Sequence, residues 1–323
     1  MNRESLLLRL LVGAIVVIVL VGVGVWVGAK QQQSSSVDWD AVGQAMGKEL
    51  ESKGEGVYGV EFPRSDLTVT SEGVTLDPGM ELGAEANFKD VGGGKALMIG
   101  EATLTENELQ PVIDKLQQAG IEETALHKHV QDESPRLWWL HYRSYGDPVQ
   151  TARALRAALE STGTPLSETT EEESKNLDLD TNQLDQIIGQ KGETESGAYH
   201  FRVPRAEPVI DTAAGTTLSA EMEGGSLLMF QPTGGGKAAI NGDFAMTQDE
   251  VNPVIQALRE NGIEALPLHE HLFYEEPTLY YMHFWANDDA AKLARGLRAA
   301  LSIRLTAPQK AKGNLLLEGG GLG

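Results

Sequence analysis

The chain has 323 residues, of which 41% are hydrophobic, enough for two ordinary domains with cores of their own. A formal net charge of −21 repels phosphate backbones, which excludes a nucleic-acid partner and favours solubility and cationic ligands. There is no cysteine, so disulfides, thiolate metal sites, cysteine nucleophiles and a lipid carried on an N-terminal cysteine are excluded.

In chain order, residues 1–9 carry Arg3 and Arg9 ahead of the apolar run LLVGAIVVIVLVGVGVWVGA, residues 10–29. A run of about 20 apolar residues spans a bilayer as a helix. Positive charge before it and an acidic chain after it predict a cytoplasmic N-terminus and an extracytoplasmic remainder anchored in the membrane. A cleaved signal peptide ending at Val27-Gly28-Ala29 is the alternative. Residues 30–37 (QQQSSS within them) form a polar linker.

The chain then repeats itself. The segment from Gly92 to Glu160 aligns without a gap to Gly234–Ser302, with 30 of 69 positions identical. A weaker match upstream sets GVYGVEFPRSDL, from Gly56, against GAYHFRVPRAEP, from Gly197. The reading is two copies of one unit, residues 38–165 and 179–305. An acidic linker, 166–178, joins them, and a disordered tail, 306–323, follows. Within a unit, Asp38 or Thr181 caps a short helix. VYGVEF, LTVTSEGVTL and ELGAEANF read as strands, and GGGK as a turn into the strand KALMIGEATL. Thr105 or Thr247 caps an amphipathic helix whose buried stripe in the first copy is Leu109, Val112, Ile113 and Leu116, ending at Gly120. ETALHKHV and PRLWWLHY make two strands around an acidic turn, and TARALRAALE is a last helix. Unequal runs of strands and helices predict an α+β fold of mostly antiparallel sheet, present twice.

Six of the seven histidines occur in two copies of one pattern: His127, His129 and His141, then His269, His271 and His283. Residues two apart on a strand share a face. A return strand that sets His141 opposite His127, and Trp139 opposite His129, brings three imidazoles to one patch in each copy. Three neutral imidazoles with one position left for water hold a catalytic zinc, and imidazole also suits copper. Glu133 and Glu275 stand at equivalent places as a further ligand or a general base. Two readings stand side by side: a three-histidine divalent-metal site in each repeat, zinc first, or histidines hydrogen-bonded in a sheet beside Trp138, Trp139, Tyr280 and Tyr281. His200 stands alone and reads as structural. Arg64 and Arg205 end equivalent strands, either paired with a buried carboxylate or gripping an anion. GGGK lacks the spacing of a phosphate loop and reads as a hairpin turn.

The segments PRSDLTV, STGTPL, FQPTGGGKAAINGDF, DEVNPVIQALRENGIE and MHFWANDDAAKLARGLRAAL resemble the LppY/LpqO family, exported bacterial proteins built on a domain of unknown function. The resemblance runs from about Val37 to Leu305. It implies a bacterial source and an envelope location, and no reaction. Family members tend to carry His-Asn-His where this chain has Lys128 and Glu270 between the paired histidines, which implies an altered or reduced function if that Asn matters. Three functions follow as expectations: metal binding or sensing, a metal-assisted hydrolase with Glu133 or Glu275 as base, and a metal-free module gripping an envelope protein or a small molecule.

Overall fold

The structure is a computed structural model, and it describes residues 36–167 and 177–306, with the side chains of 304–306 left aside. The predicted membrane span, most of the acidic linker and the tail beyond Thr306 lie outside the described residues. Among the described residues no helix is long and apolar enough to cross a membrane.

The first repeat opens with a helix, Trp39–Met46, whose first turn is capped by the Asp38 carboxylate accepting from the Ala41 amide. Strands β1 (Glu51–Gly54), β2 (Val57–Pro63), β3 (Val69–Ser71), β4 (Val74–Leu76), β5 (Gly83–Gly92) and β6 (Lys95–Thr105) follow. A helix over Glu106–Ala119, β7 (Glu122–His127), β8 (Leu137–Gly146) and a helix over Pro148–Leu159 complete the repeat. LTVTSEGVTL, expected as one strand, is broken at Glu72-Gly73 into the β3–β4 hairpin, because both turn residues take positive φ. The second repeat gives a helix over Thr181–Ile188, β9 (Glu193–Glu195), β10 (Ala198–Pro204), β11 (Val209–Asp211) and β12 (Thr216–Leu218). Then come β13 (Gly225–Gly234), β14 (Lys237–Met246), a helix over Gln248–Glu260, β15 (Glu264–His269), β16 (Glu275–Glu276), β17 (Tyr280–Asp289) and a helix over Ala290–Thr306. The cap of its first helix is Asp180, one residue before the expected Thr181.

Each repeat has a six-stranded antiparallel sheet, ordered β1-β2-β5-β6-β8-β7 in the first and β15-β17-β14-β13-β10-β9 in the second. Thr105 and Thr247 both close capping boxes, with Glu108 and Glu250 as the reciprocal partners. GGGK is the β5–β6 turn: Gly93 and Gly94 take φ 65° and 72°, a pair of left-handed values that glycine adopts without a Cβ penalty. The same turn recurs at Gly235 and Gly236.

Alternation along the strands sends two sets of side chains to two different places. From β6 and β8, Ala96, Met98, Ala102, Leu104, Leu140 and Tyr142 join Val112, Leu116 and Leu155 of the helices in a core belonging to the first repeat alone. Ile240, Phe244, Met282 and Phe284 do the same with Val254, Leu258 and Leu297 in the second. The opposite faces pack on each other: Leu137 and Trp139 with Met229, Ala239 and Trp285, and Leu97 and Ile99 with Ala245, Leu279 and Tyr281. The layers therefore run helices, sheet, sheet, helices. Equivalent positions, 142 residues apart, make equivalent bonds across the join. Lys89 Nζ donates to Thr217 O at 2.8 Å, and its counterpart Gln231 Nε2 donates to Thr75 O at 2.8 Å. The repeats are thus related by a pseudo-twofold axis.

Candidate functional site: a histidine–carboxylate centre shared by the repeats

β8 and β17 carry their strand histidines on the inner face. β7 and β15 end at His127 and His269, so His129 and His271 sit just past the strands rather than within them. The register also differs from the expected one: His127 faces Trp139, and His141 faces Ala125. That shift is two residues, an even number, so His127 and His141 keep a common face.

The larger departure concerns how many centres there are. Each expected trio does come together, His127–His129–His141 in the first repeat and His269–His271–His283 in the second, but the two trios merge into one cluster on the pseudo-twofold axis. His127 and His269 lie with ring centroids 3.5 Å apart. Flanking them, His129 stacks with His283 at 3.9 Å, and His141 with His271 at 4.0 Å. Nitrogens approach closely across the join, His127 Nε2 to His283 Nε2 at 3.1 Å, and within the second repeat, His269 Nε2 to His271 Nε2 at 2.7 Å. Among the described residues, four combinations place their ligand atoms within 4.8 Å of one another: His127–His269–His271–His283, His127–His129–His141, Glu81–His129–His283 and His141–Glu223–His271.

Four acids surround the imidazoles, and sequence reading missed all of them. Glu81 Oε2 is 3.0 Å from His129 Nδ1, and its counterpart Glu223 Oε2 is 2.8 Å from His271 Nδ1. Glu101, opposite His141 in the β6–β8 ladder, reaches His141 Nε2 at 3.1 Å, and Asp243 stands at the matching place opposite His283. A signal existed: Met80-Glu81 recurs as Met222-Glu223, and Gly100-Glu101 as Gly242-Asp243, at the same spacing as the histidines. Glu81 and Glu223 both take left-handed backbone, φ 56° and 65°, the kind of strain that gathers at functional sites. Trp139 Nε1 donates to Glu81 O at 2.7 Å and Tyr281 Oη donates to Glu223 O, so different aromatics hold the two acidic loops alike. Each ring also stacks on a histidine, Trp139 on His129 at 4.5 Å and Tyr281 on His271 at 3.9 Å.

Burial, and then the neighbouring imidazoles, hold His127, His129, His271 and His283 well below the usual histidine value, and His269 is lowered to about 4. Burial together with the Glu223 carboxylate pushes Glu81 up to about 8, and burial with the surrounding acids raises Glu101 well above its ordinary range. These five imidazoles are therefore neutral at pH 7, the form that offers a lone pair to a metal. Several buried atoms find no aligned hydrogen bond: Nδ1 of His127, both ring nitrogens of His129 and of His141, and Oε2 of Glu81 and of Glu101. Each such orphan costs about 1–3 kcal/mol when nothing pairs with it.

The other candidates lie elsewhere. Glu133 accepts from the Leu137 amide at 3.0 Å and from Lys128 Nζ, and Glu275 accepts from the Leu279 amide at 3.3 Å. Both carboxylates close the turns of their own hairpins and belong to none of the metal-capable groups, in which Glu81 and Glu223 are the acids. Arg64 binds Asp66, Glu108 and Thr103 O, and Arg205 binds Glu207, Glu250 and Ala245 O, so of the two readings of these arginines the pairing with a buried carboxylate is the one present. His200 Nε2 contacts Gly79 O at 2.7 Å and ties the repeats together. A cavity of about 100 Å³ between the Glu81 and Glu223 loops reaches the centre, lined there by Glu101, His141, Asp243 and His271.

Fold and centre together define a tandem-repeat α+β protein whose histidine–carboxylate core is built jointly by its two halves. The chain belongs to the family of a domain of unknown function, DUF1259, which matches residues 40–161 and again residues 182–303. No curated protein matches it. Among solved structures, a trimeric bacterial microcompartment shell protein, PduB, is 15% identical, covering 80% of this chain and 91% of that one, with a TM-score of 0.20. EtuB from Clostridium kluyveri is 10% identical, covering 80% and 90%, with a TM-score of 0.20. At that score neither carries an argument about this chain.

Proposed function

We propose that this protein binds a divalent metal at the centre shared by its repeats, zinc first and copper next, and that it is an LppY/LpqO-type protein of the bacterial envelope held at the membrane by residues 10–29. The observation that carries the metal reading is the set of buried ring nitrogens and carboxylate oxygens of His127, His129, His141, Glu81 and Glu101 that crowd one place without an aligned hydrogen bond. Protein interiors seldom leave such groups without a partner, and neutral imidazole beside carboxylate is a donor set for zinc. The apolar run after Arg9 and the acidic chain beyond it support the anchored, extracytoplasmic placement.

The full chain, extracted in detergent and analysed for elements, is expected to carry at least one divalent ion. The double variant His271→Ala/His283→Ala, which takes a histidine from every group but His127–His129–His141, is expected to lose it while keeping the same circular dichroism. A metal-free chain that gains no thermal stability on adding zinc overturns the reading and leaves the metal-free interaction module. The cavity that reaches His141 and His271 favours a second reading, a metal-assisted hydrolase, because a substrate needs such a recess beside the ion.

A further inference from the structure

We propose that the centre holds two metal ions, one in Glu81–His129–His283 and one in His141–Glu223–His271, and that the second set is the one open to a small ligand. The proposal rests on the metal reading above and adds the number of ions, their ligands and their difference.

The two sets are copies of each other. Advancing each residue of the first set by the repeat spacing gives Glu223 from Glu81 and His271 from His129, while His283 is the advanced copy of His141. The pseudo-twofold axis therefore exchanges the two sets. Each takes its acid and its loop histidine from one repeat and its strand histidine from the other, so neither repeat owns a complete set. Used this way, each of His129, His141, His271 and His283 serves once. His127 and His269 are left as the pair on the axis, their rings 3.5 Å apart. The four-imidazole group His127–His269–His271–His283 has no such mate, since the matching combination in the other direction is only His127–His129–His141.

The chemistry of each set is consistent with a bound ion. Two ligands about 2.1 Å from a tetrahedral ion stand roughly 3–3.5 Å apart. The pairs at hand are His129 Nδ1 to Glu81 Oε2 at 3.0 Å, His271 Nδ1 to Glu223 Oε2 at 2.8 Å and His141 Nδ1 to Glu223 Oε1 at 3.7 Å. Two imidazoles and one carboxylate leave coordination positions free, and suit iron(II) or manganese(II) as well as zinc. The acids stand on loops in left-handed backbone, fixed by Trp139 and Tyr281. His129, 1% exposed, and His141, 2% exposed, make no aligned hydrogen bond at either ring nitrogen, and each of these nitrogens faces a carboxylate oxygen.

The two sets are not equivalent in access. The cavity is lined by His141, His271 and Glu223, all three members of one set, and by Glu81 alone of the other. His129 and His283 are closed off by Trp139 and by the Gly242 carbonyl, which lies 3.0 Å from His283 Nδ1. The ion of the Glu223 set is thus the one that an oxygen-donor small molecule can reach.

Cobalt(II) is the probe, added to the metal-stripped full chain, with bound cobalt counted after desalting and its absorption bands recorded. Two equivalents are expected, falling to one in Glu81→Ala and to one in Glu223→Ala. With dipicolinate as chelator, the ion that remains in Glu81→Ala should leave at least tenfold faster than the ion that remains in Glu223→Ala. Should either alanine variant fail to fold, Glu81→Gln and Glu223→Gln keep the side-chain volume and carry the same expectations. One equivalent in the unchanged chain, indifferent to Glu81→Ala, overturns the proposal in favour of the four-imidazole group and leaves the metal reading intact. No bound cobalt overturns both. Two equivalents that survive both glutamate variants overturn the ligand assignment.

Discussion

The two faces of each sheet obey different rules. The outer face packs on helices from its own repeat, and its core is complete within that repeat. The inner face is covered by the other repeat together with short hairpins and loops of its own, and there the apolar residues Leu97, Trp139 and Met229 share space with charged and polar groups: Glu101, His141, Arg143, Asn241, Asp243 and His283. A duplicated unit that met its copy through an oily face alone would be a stable protein with no chemistry. Here the join merges the histidines of the two copies and brings the acid and loop histidine of each to a strand histidine of the other, which is why the centre lies on the axis and not once in each half.

The sharpest break of that comparison is Arg143→Ala. This inner-face guanidinium donates to both oxygens of Asp211 across the join, at 2.7 and 2.9 Å, and to Glu122 at 2.8 Å. Truncation leaves Asp211, 1% exposed, as an uncompensated buried charge, which costs about 3–5 kcal/mol. Urea unfolding should show that loss, and cobalt binding should weaken for both ions together, because the variant loosens the join and not one ligand set. A variant that loses stability but binds cobalt unchanged would show that the centre does not depend on how the repeats meet.

Next in size is Gly242→Ala. A Cβ there would stand 2.1 Å from Leu227 O, on a residue with φ 127°. Forcing the strands apart costs about 1–3 kcal/mol. It also moves the carbonyl that holds His283 Nδ1, so the ion of the Glu81 set should be weakened more than the other. Gly100, the counterpart, is as tightly placed against Glu85 O, and Gly100→Ala is expected to cost a similar amount of stability.

A gentler test uses acid on the ion pairs that lie within single repeats. Burial alone would raise the Glu108 carboxyl, but the Arg64 guanidinium and the Gly163 and Thr105 amides outweigh it and hold the group below its ordinary value. Glu250 is held down in the same way, against burial, by Arg205 and Thr247. A carboxyl lowered in the folded state adds stability that is fully present above its unfolded value, about 4.3, and is lost as pH falls through the folded one. Urea midpoints should therefore stay level on this account from pH 7 to about 5 and decline below it. Arg64→Gln and Arg205→Gln should flatten that decline, since each removes a cause of the shift.

Much of the fold was legible because its signals are local. Capping threonines, the Gly93-Gly94 turn and the stripe of Val112 and Leu116 each act within a few residues. The duplication was legible because identity at one fixed spacing needs no structure. The centre was only half legible. Period-two alternation put His127 and His141 on one face, but nothing local says that this face meets its copy, so six histidines read as two trios. Glu133 and Glu275 drew attention by standing close to the histidines in sequence, whereas the acids that reach the imidazoles, Glu81 and Glu223, come from a loop more than forty residues away along the chain. Their retention at the repeat spacing was visible, yet hard to separate from glycines and prolines kept for backbone reasons.

The smallest expected effect separates the two ligand sets most cleanly. Tyr281 and Trp139 stand at equivalent positions, and each donates to the main-chain oxygen of the acid in its own loop, Glu223 or Glu81. Tyr281→Phe keeps the ring that stacks on His271 at 3.9 Å and deletes only the hydroxyl. Losing that hydrogen bond should cost about 1 kcal/mol. Because the Glu223 loop is then held less firmly in its left-handed turn, cobalt should dissociate several-fold faster from the His141–Glu223–His271 set and at an unchanged rate from the other. Trp139→Phe removes the corresponding donor from the Glu81 loop and should reverse the pattern. If both variants speed the release of both ions equally, the acidic loops act as one unit, and the difference between the sets lies in the cavity alone.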